Sequence, residues 1–526
     1  MRALRTRLAL GFALAVALFA AACGGGGTPP TPPPPTGNFS NASLKGQYAF
    51  SMSGQEGATG SFFARIGTFT ADGNGNITGG MEDVNTALNG PQRLDFIASS
   101  YSVQANGRGV LSLTNATGSL VFSITLLSPT QGIIVETDLN ATASGTFTIQ
   151  NSNAFNTAGI SGNYVFDVTG LDPNGFPDSI VGQFVSNGSG NFTSGLLDEN
   201  DNAVPSGPQT FTSAIYSLDA TFGNTAGRGF VTFIAGGISY SYVFYIVNGS
   251  QLRLMETGSN ALTIGTATAQ SSVPSSNTNF NGNFVFMTSG NGTSGPITRI
   301  GRFTADGNGN LNSVFANTND AGVVEQVPHG SLSATTYAID TNFPGTGRGT
   351  LSFTDSKLGT YAFVFYLNSS SGGVIQEVSK NNVGDGNLQL QTGGPFSNSS
   401  LAGDYGFNLS GVSSNSSTQV TAEEDYVGQL VFSSSSSGNV SGAVDFSEFS
   451  SNQGVFTDVV VSGSGLTIGG DGTTSSGMRN ALSLKLNLSP SATLNFAPYV
   501  VNSQTIYFTG TDENRVVSGI ISAQNP

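Results

Sequence analysis

Gly46-Gln47-Tyr48-Ala49-Phe50 opens a pattern that returns three times: Gly162-Asn163-Tyr164-Val165-Phe166, Gly282-Asn283-Phe284-Val285-Phe286 and Gly403-Asp404-Tyr405-Gly406-Phe407. The opening glycines stand 116, 120 and 121 residues apart. A repeat that long is a whole domain, since a propeller blade takes only about 45 residues. Within each unit the same landmarks follow in the same order. A hairpin runs from Gly67 through Asp72-Gly73-Asn74-Gly75-Asn76, and nearly repeats from Gly301 through Asp306-Gly307-Asn308-Gly309-Asn310. Weaker forms end at Asn191 and Asn439. Gly-Arg-Gly then precedes an alternating strand at Arg108, Arg228 and Arg348, while the fourth unit keeps only Arg479. A later strand bears Glu136, Glu256 or Glu377, and each unit closes on a strand ending in Gln150, Gln270, Gln391 or Gln524.

The segments between these landmarks are short, alternate with period two and are rich in Val, Ile, Thr, Phe and Tyr. No stretch beyond the N-terminal segment sustains helical periodicity. The expectation is an all-β chain of four tandem antiparallel domains at 43–151, 159–270, 279–392 and 400–526, the last divergent. Each has seven to eight strands, and short connectors require each unit's ends to lie close together. An up-and-down barrel meets that need and leaves no free edge; a β-sandwich is the alternative. The units are expected to stand apart, like beads. Gly-x-Tyr, the Asp-Gly hairpin and the meander order resemble avidin-like and lipocalin-like small barrels, whose opening motif is Gly-x-Trp. This chain has no tryptophan, and none of their ligand residues maps onto it.

The N-terminus adds a location. Arg2, Arg5 and Arg7 precede an apolar run from Leu8 to Ala22, then Cys23, the chain's single cysteine. As a helix, Leu8 to Ala22 spans about 22 Å, short of a bilayer's apolar core of about 30 Å. The layout is that of an export signal, and its end resembles the lipobox of bacterial lipoproteins, with Ala20 where that family usually has Leu. The resemblance implies a signal peptide at 1–22 and palmitate-type acylation of Cys23. It also implies a place on the outer membrane of a Gram-negative cell, because no aspartate follows the cysteine. Plain secretion is the alternative. Residues 23–42, with Thr28-Pro29-Pro30-Thr31 and four more prolines, form a tether reaching at most about 60 Å. The whole plan resembles repeat lipoproteins of environmental bacteria, a group that implies no particular activity.

Composition narrows the chemistry. The net charge of −15 disfavours nucleic acid as a partner. With one histidine, His329, and one cysteine, zinc clusters and most triads are out of reach. Asp72, Asn74, Asn76 and Asp83 have calcium-loop spacing, as do Asp306, Asn308 and Asn310, but Ile77 stands where such a loop needs glycine. Asp-Gly and Asn-Gly are equally hairpin signals. Asp83-x-Asn85, Asp198-x-Asn200 and Asn317-x-Asn319 read as turn residues. Glu136 lies in an apolar strand and needs a partner, so Arg108–Glu136, Arg228–Glu256 and Arg348–Glu377 are expected to pair inside or across a barrel end. The functional expectation is a non-catalytic surface lipoprotein with a structural, adhesive or binding role, its partner a surface glycan or protein, and no cofactor apart from the calcium reading. A carrier of apolar or sugar ligands inside the barrels is the alternative, and a hydrolase the least favoured.

Overall fold

The computed structural model describes residues 37–57, 59–258, 261–415, 420–435, 437–449, 454–469 and 480–526. Cys23, most of the tether and Arg479 lie outside the described residues, and no described helix is long and apolar enough to cross a membrane. Four antiparallel β-domains follow one another at 45–149, 161–269, 281–390 and 403–523, as the repeat implies. The second and fourth are closed eight-stranded up-and-down barrels. The first closes too. Its last strand, Ala141–Ile149, pairs with its first, Lys45–Glu56, and the closure between Asn76–Thr86 and Ile97–Val103 rests on Asn76↔Ser100 and Ile77↔Ser99. Its additional short strand, Gly90–Asp95, branches off the barrel wall. The third is a nine-stranded sheet curled almost shut, its edge strand Leu332–Ile339 bridged at Asn310↔Thr336 to the start of Leu311–Asp320.

The opening motif builds each barrel's floor. Tyr48, Tyr164 and Tyr405 point inward and donate their hydroxyls to the carbonyls of Pro129, Gly249 and Ser503 at 2.7, 2.7 and 2.8 Å. Those carbonyls lie in turns at the same end as the strand's start. In the third unit Phe284 stacks on Phe280 instead, centroids 4.2 Å apart. The phenylalanine two residues on needs a glycine opposite. A Cβ on Gly67, Gly182 or Gly301 would come within 2.8, 2.6 and 2.4 Å of the rings of Phe50, Phe166 and Phe286. Stacked aromatics complete the interiors: Phe184–Phe192 at 4.2 Å and Phe211–Phe233 at 4.4 Å in the second barrel, Tyr426–Phe446 at 4.4 Å in the fourth.

The expectation of separated beads is overturned. Residues 36–526 form one compact unit. Each barrel presents its first three strands to the last three of the next, and the fourth does the same to the first. Apolar clusters mark all four junctions. Ala49, Ile66 and Met81 meet Val243, Tyr245 and Met255; Val165 and Val181 meet Val364 and Tyr366; Val285 and Ile300 meet Tyr499 and Tyr507; Val427 meets Ile133 and Val135. Repeated head-to-tail contact whose rotation closes makes a ring. The ring forms because each barrel's outer wall carries apolar residues that water would otherwise cover.

Candidate functional site

At each junction the repeat landmarks reappear as partners. Asp83 accepts Nη2 and Nε of Arg228 at 2.7 and 2.8 Å, and the Tyr245 hydroxyl at 2.7 Å. Asp198 accepts Nη2 and Nε of Arg348, both at 2.7 Å, and Tyr366 at 2.6 Å. Between the third and fourth barrels Tyr499 donates to Asn317 at 2.7 Å. At the seam between fourth and first, Arg108 meets Asp445 at 2.5 Å and Asp458 at 2.9 Å. Two residues beyond Asp83, Asp198 and Asn317, Asn85 donates to the carbonyls of Glu256 and Ala261, Asn200 to those of Glu377 and Asn382, and Asn319 to those of Gly510 and Arg515. At the opposite end, Gln150, Gln270, Gln391 and Gln524 donate to carbonyls of Ile246, Leu367, Val500 and Leu126 at 2.6 to 2.7 Å. Like ends therefore meet like ends, and the four barrels point the same way.

These contacts correct two sequence expectations. Asp83, Asp198 and their partners are strand residues of the junctions, not turn residues. The pairs Arg108–Glu136, Arg228–Glu256 and Arg348–Glu377 do not form. The reason is parity. Arg108 lies opposite Thr125, which lies opposite Ile133, so all three share the outer face. Glu136, three residues on, faces inward. The glutamates instead meet arginines that sequence reading passed over: Glu136 lies 3.6 Å from Arg65, and Glu377 pairs with Arg299. Glu256 accepts from Thr263 at 2.7 Å. Asp83 is held by Arg228, on the junction and not in the hairpin that precedes it. In that hairpin the Asp72 carboxylate takes the backbone N–H groups of Asn74 and Asn76 and the Asn76 side chain. The side-chain bond leads in drawing Asp72 down to about 2. Asp306 is held by Asn308 and Asn310 in the same way. No His, Cys, Asp and Glu grouping fit for a metal occurs among the described residues. His329 is exposed, and its backbone N–H donates to Asp355.

The second barrel departs from its neighbours at its far end, away from the chain termini. Ile180 stands where Arg65 and Arg299 stand in the first and third units. Its acids Asp178, Glu199 and Glu256 are thus buried without that cation. Burial leads in raising Asp178 to about 8, with Glu199, Asp201 and Glu256 adding repulsion. Burial also raises Glu256 to about 7.

Two cavities bear on ligand binding. Inside the second barrel the space left among Phe166, Phe184, Phe233 and Tyr242 is about 20 Å³, about one water's worth. The barrel-interior carrier reading therefore falls at this unit. A cavity of about 630 Å³ instead lies where the barrels meet at the ring axis, lined by Thr146 of the first, Asp167 and Arg253 of the second, Asn387 and Gln389 of the third and Asn502 of the fourth. It opens at the end where the chain enters and leaves the ring, beside the turn at Ser369 and Ser371.

No protein-family model matches the chain, and no curated protein matches it. Among solved structures, transferrin binding protein B from serogroup B Neisseria meningitidis aligns over 74% of this chain and 82% of its own at 10% identity, with a TM-score of 0.20. A Trp-176-Ala mutant of transferrin binding protein B from Haemophilus parasuis aligns over 75% and 84% at 11% identity, with a TM-score of 0.19. At these values the likeness says nothing about ligand or partner.

Proposed function

We propose that this chain is a non-catalytic lipoprotein, fastened by Cys23 to the outer membrane, whose four barrels form one rigid platform for binding a surface protein or glycan. The observation that carries this reading is the use of the repeat signature. Its Asp, Asn, Arg and Gln residues hold the ring together, which leaves the loops at one end free to vary. Lys45 begins the first strand and Ala523 ends the last at the same end of the ring, so a tether would enter there. The other end carries exposed apolar hairpin tips. Leu88 and Leu139 are each 70% exposed, and Phe176, Val204, Ile238 and Val323 project from the same end of their barrels. Apolar tips gathered on one face suit macromolecular contact better than the same residues scattered. The absence of a catalytic role is supported by the repeat glutamates, which are buried against arginine or threonine.

Photo-crosslinking in cells tests this. A photoreactive residue at Leu139 or Phe176 should yield a crosslinked partner, and one at Asn153, on the tether side, should not. Absence of any adduct from the far face would remove the binding reading. Failure of labelled palmitate to enter the wild type, with the same result for Cys23→Ser, would remove the anchor.

A further inference from the structure

Arg253 differs from Arg108, Arg228 and Arg348, each of which meets a carboxylate across a junction. It is 5% exposed, has among the described residues no carboxylate within ion-pair distance, donates Nη2 to Thr148 at 3.1 Å, and leaves Nε without a partner among them. A buried guanidinium N–H without an acceptor is costly, and this one belongs to a side chain on the wall of the axial cavity. Burial draws Arg253 down to about 10, and Asp167 on the same wall is pushed up to about 6 by its own desolvation. Both remain charged near neutral pH. The other repeats show that the fold does not need this arginine: Ile133, Val374 and Tyr507 occupy its place in the first, third and fourth units.

We infer that the axial cavity is a binding site for a small neutral polyhydroxylated ligand, a sugar of one or two rings. The volume of about 630 Å³ lies within the range of small-molecule sites, about 300–1,000 Å³. Its wall offers one cation and one anion, so a ligand with net charge of either sign meets repulsion from one of them. Arg253 donates, Asp167 accepts, and the Asn387, Gln389 and Thr146 side chains can do both. Closely spaced hydroxyls are the groups that engage all three kinds of partner at once. Asp167 is already held by the Thr266 hydroxyl at 2.9 Å, which fixes its remaining acceptor capacity toward the cavity. The site exists only in the closed ring, because no single barrel supplies its walls.

The test is saturation-transfer NMR on the full chain in detergent, with maltose, trehalose and glucose as neutral probes and glucuronate and glucosamine as charged ones. At least one neutral probe should bind at or below about 10 mM. Arg253→Val, which copies Val374 of the third unit, should weaken it about tenfold or more, and Asp167→Asn should weaken it as well. Thermal melting and circular dichroism of each variant confirm that the ring is intact. The inference is overturned if no neutral probe binds, if a charged probe binds more tightly, or if Arg253→Val binds as the wild type does. Because the photo-crosslinks from Leu139 and Phe176 report on the opposite face, this site can fail while the platform reading stands, and the reverse.

Discussion

Replacing Asp198 with alanine isolates what one junction contributes. Asp198 receives two guanidinium N–H groups of Arg348 and the Tyr366 hydroxyl, all within 2.7 Å, and both ionic side chains are nearly buried. Removing one partner of a buried pair generally costs about 3–5 kcal/mol, because the other charge is left desolvated. Arg348 keeps Asp340 at 2.5 Å, so the lower end applies, about 3 kcal/mol. The Asp198→Ala, Arg348→Met double variant removes both charges of the junction pair and leaves only the more exposed Asp340 without its cation, so it should cost little more than the single one. Arg348→Met alone leaves Asp198 without its cation and should also cost about 3 kcal/mol, so the double variant falls well short of the sum of the two single ones. Urea unfolding at pH 7 reads the totals, with the slope checked for constancy. Hydrogen exchange should locate the loss on the outer faces of Pro177–Asn187 and Gly359–Ser369, with both barrel interiors still protected. A loss below about 1 kcal/mol, or strict additivity of the two substitutions, would refute the claim that this bond network holds barrel to barrel.

Four further outcomes are expected. Stability should fall as pH rises from about 4 to 8, because Asp178 and Glu256 keep their protons to about 8 and about 7 in the folded chain, while the unfolded chain releases them near 4; a flat or rising profile of melting temperature contradicts this. Ile180→Arg supplies the cation found at Arg65 and Arg299, and should flatten that profile above pH 7; a variant more pH-sensitive than the wild type would show that the acids are not the cause. The ring should open first at the seam between the fourth and first barrels, where the apolar cluster has only three fully buried members, Ile133, Val135 and Val427; slower exchange there than at the junction of Met81 with Met255 would disprove it. Calcium or a chelator should leave the melting temperature unchanged, since Asp72 and Asp306 already hold their own hairpins; a calcium-dependent rise would restore the metal reading.

Period-two alternation, hairpin glycines and the repeat of about 120 residues pointed to four antiparallel β-units. These are local signals, since strand pairing between neighbours in sequence follows from pattern and turn chemistry. The same alternation, taken one step further, shows that Arg108 and Glu136 face opposite sides of the wall once the strand register is known. Register across three strands is set by turn lengths and bulges, such as the shift between Leu126 and Ser128, and residue spacing alone does not give it. Arg65 and Arg299 went unnoticed because only two of the four units carry them; the buried glutamate opposite was the available signal.

The chain's sequence by itself determined an all-β repeat protein and its aromatic cores. The tertiary structure alone decided that the units close into a ring, that Asp83 meets Arg228 across 145 residues, and that an axial cavity exists. Contacts within a unit are encoded by periodicity along a strand. Contacts between units depend on which outward residues of two separately curved walls come face to face, and one-dimensional spacing holds no record of that.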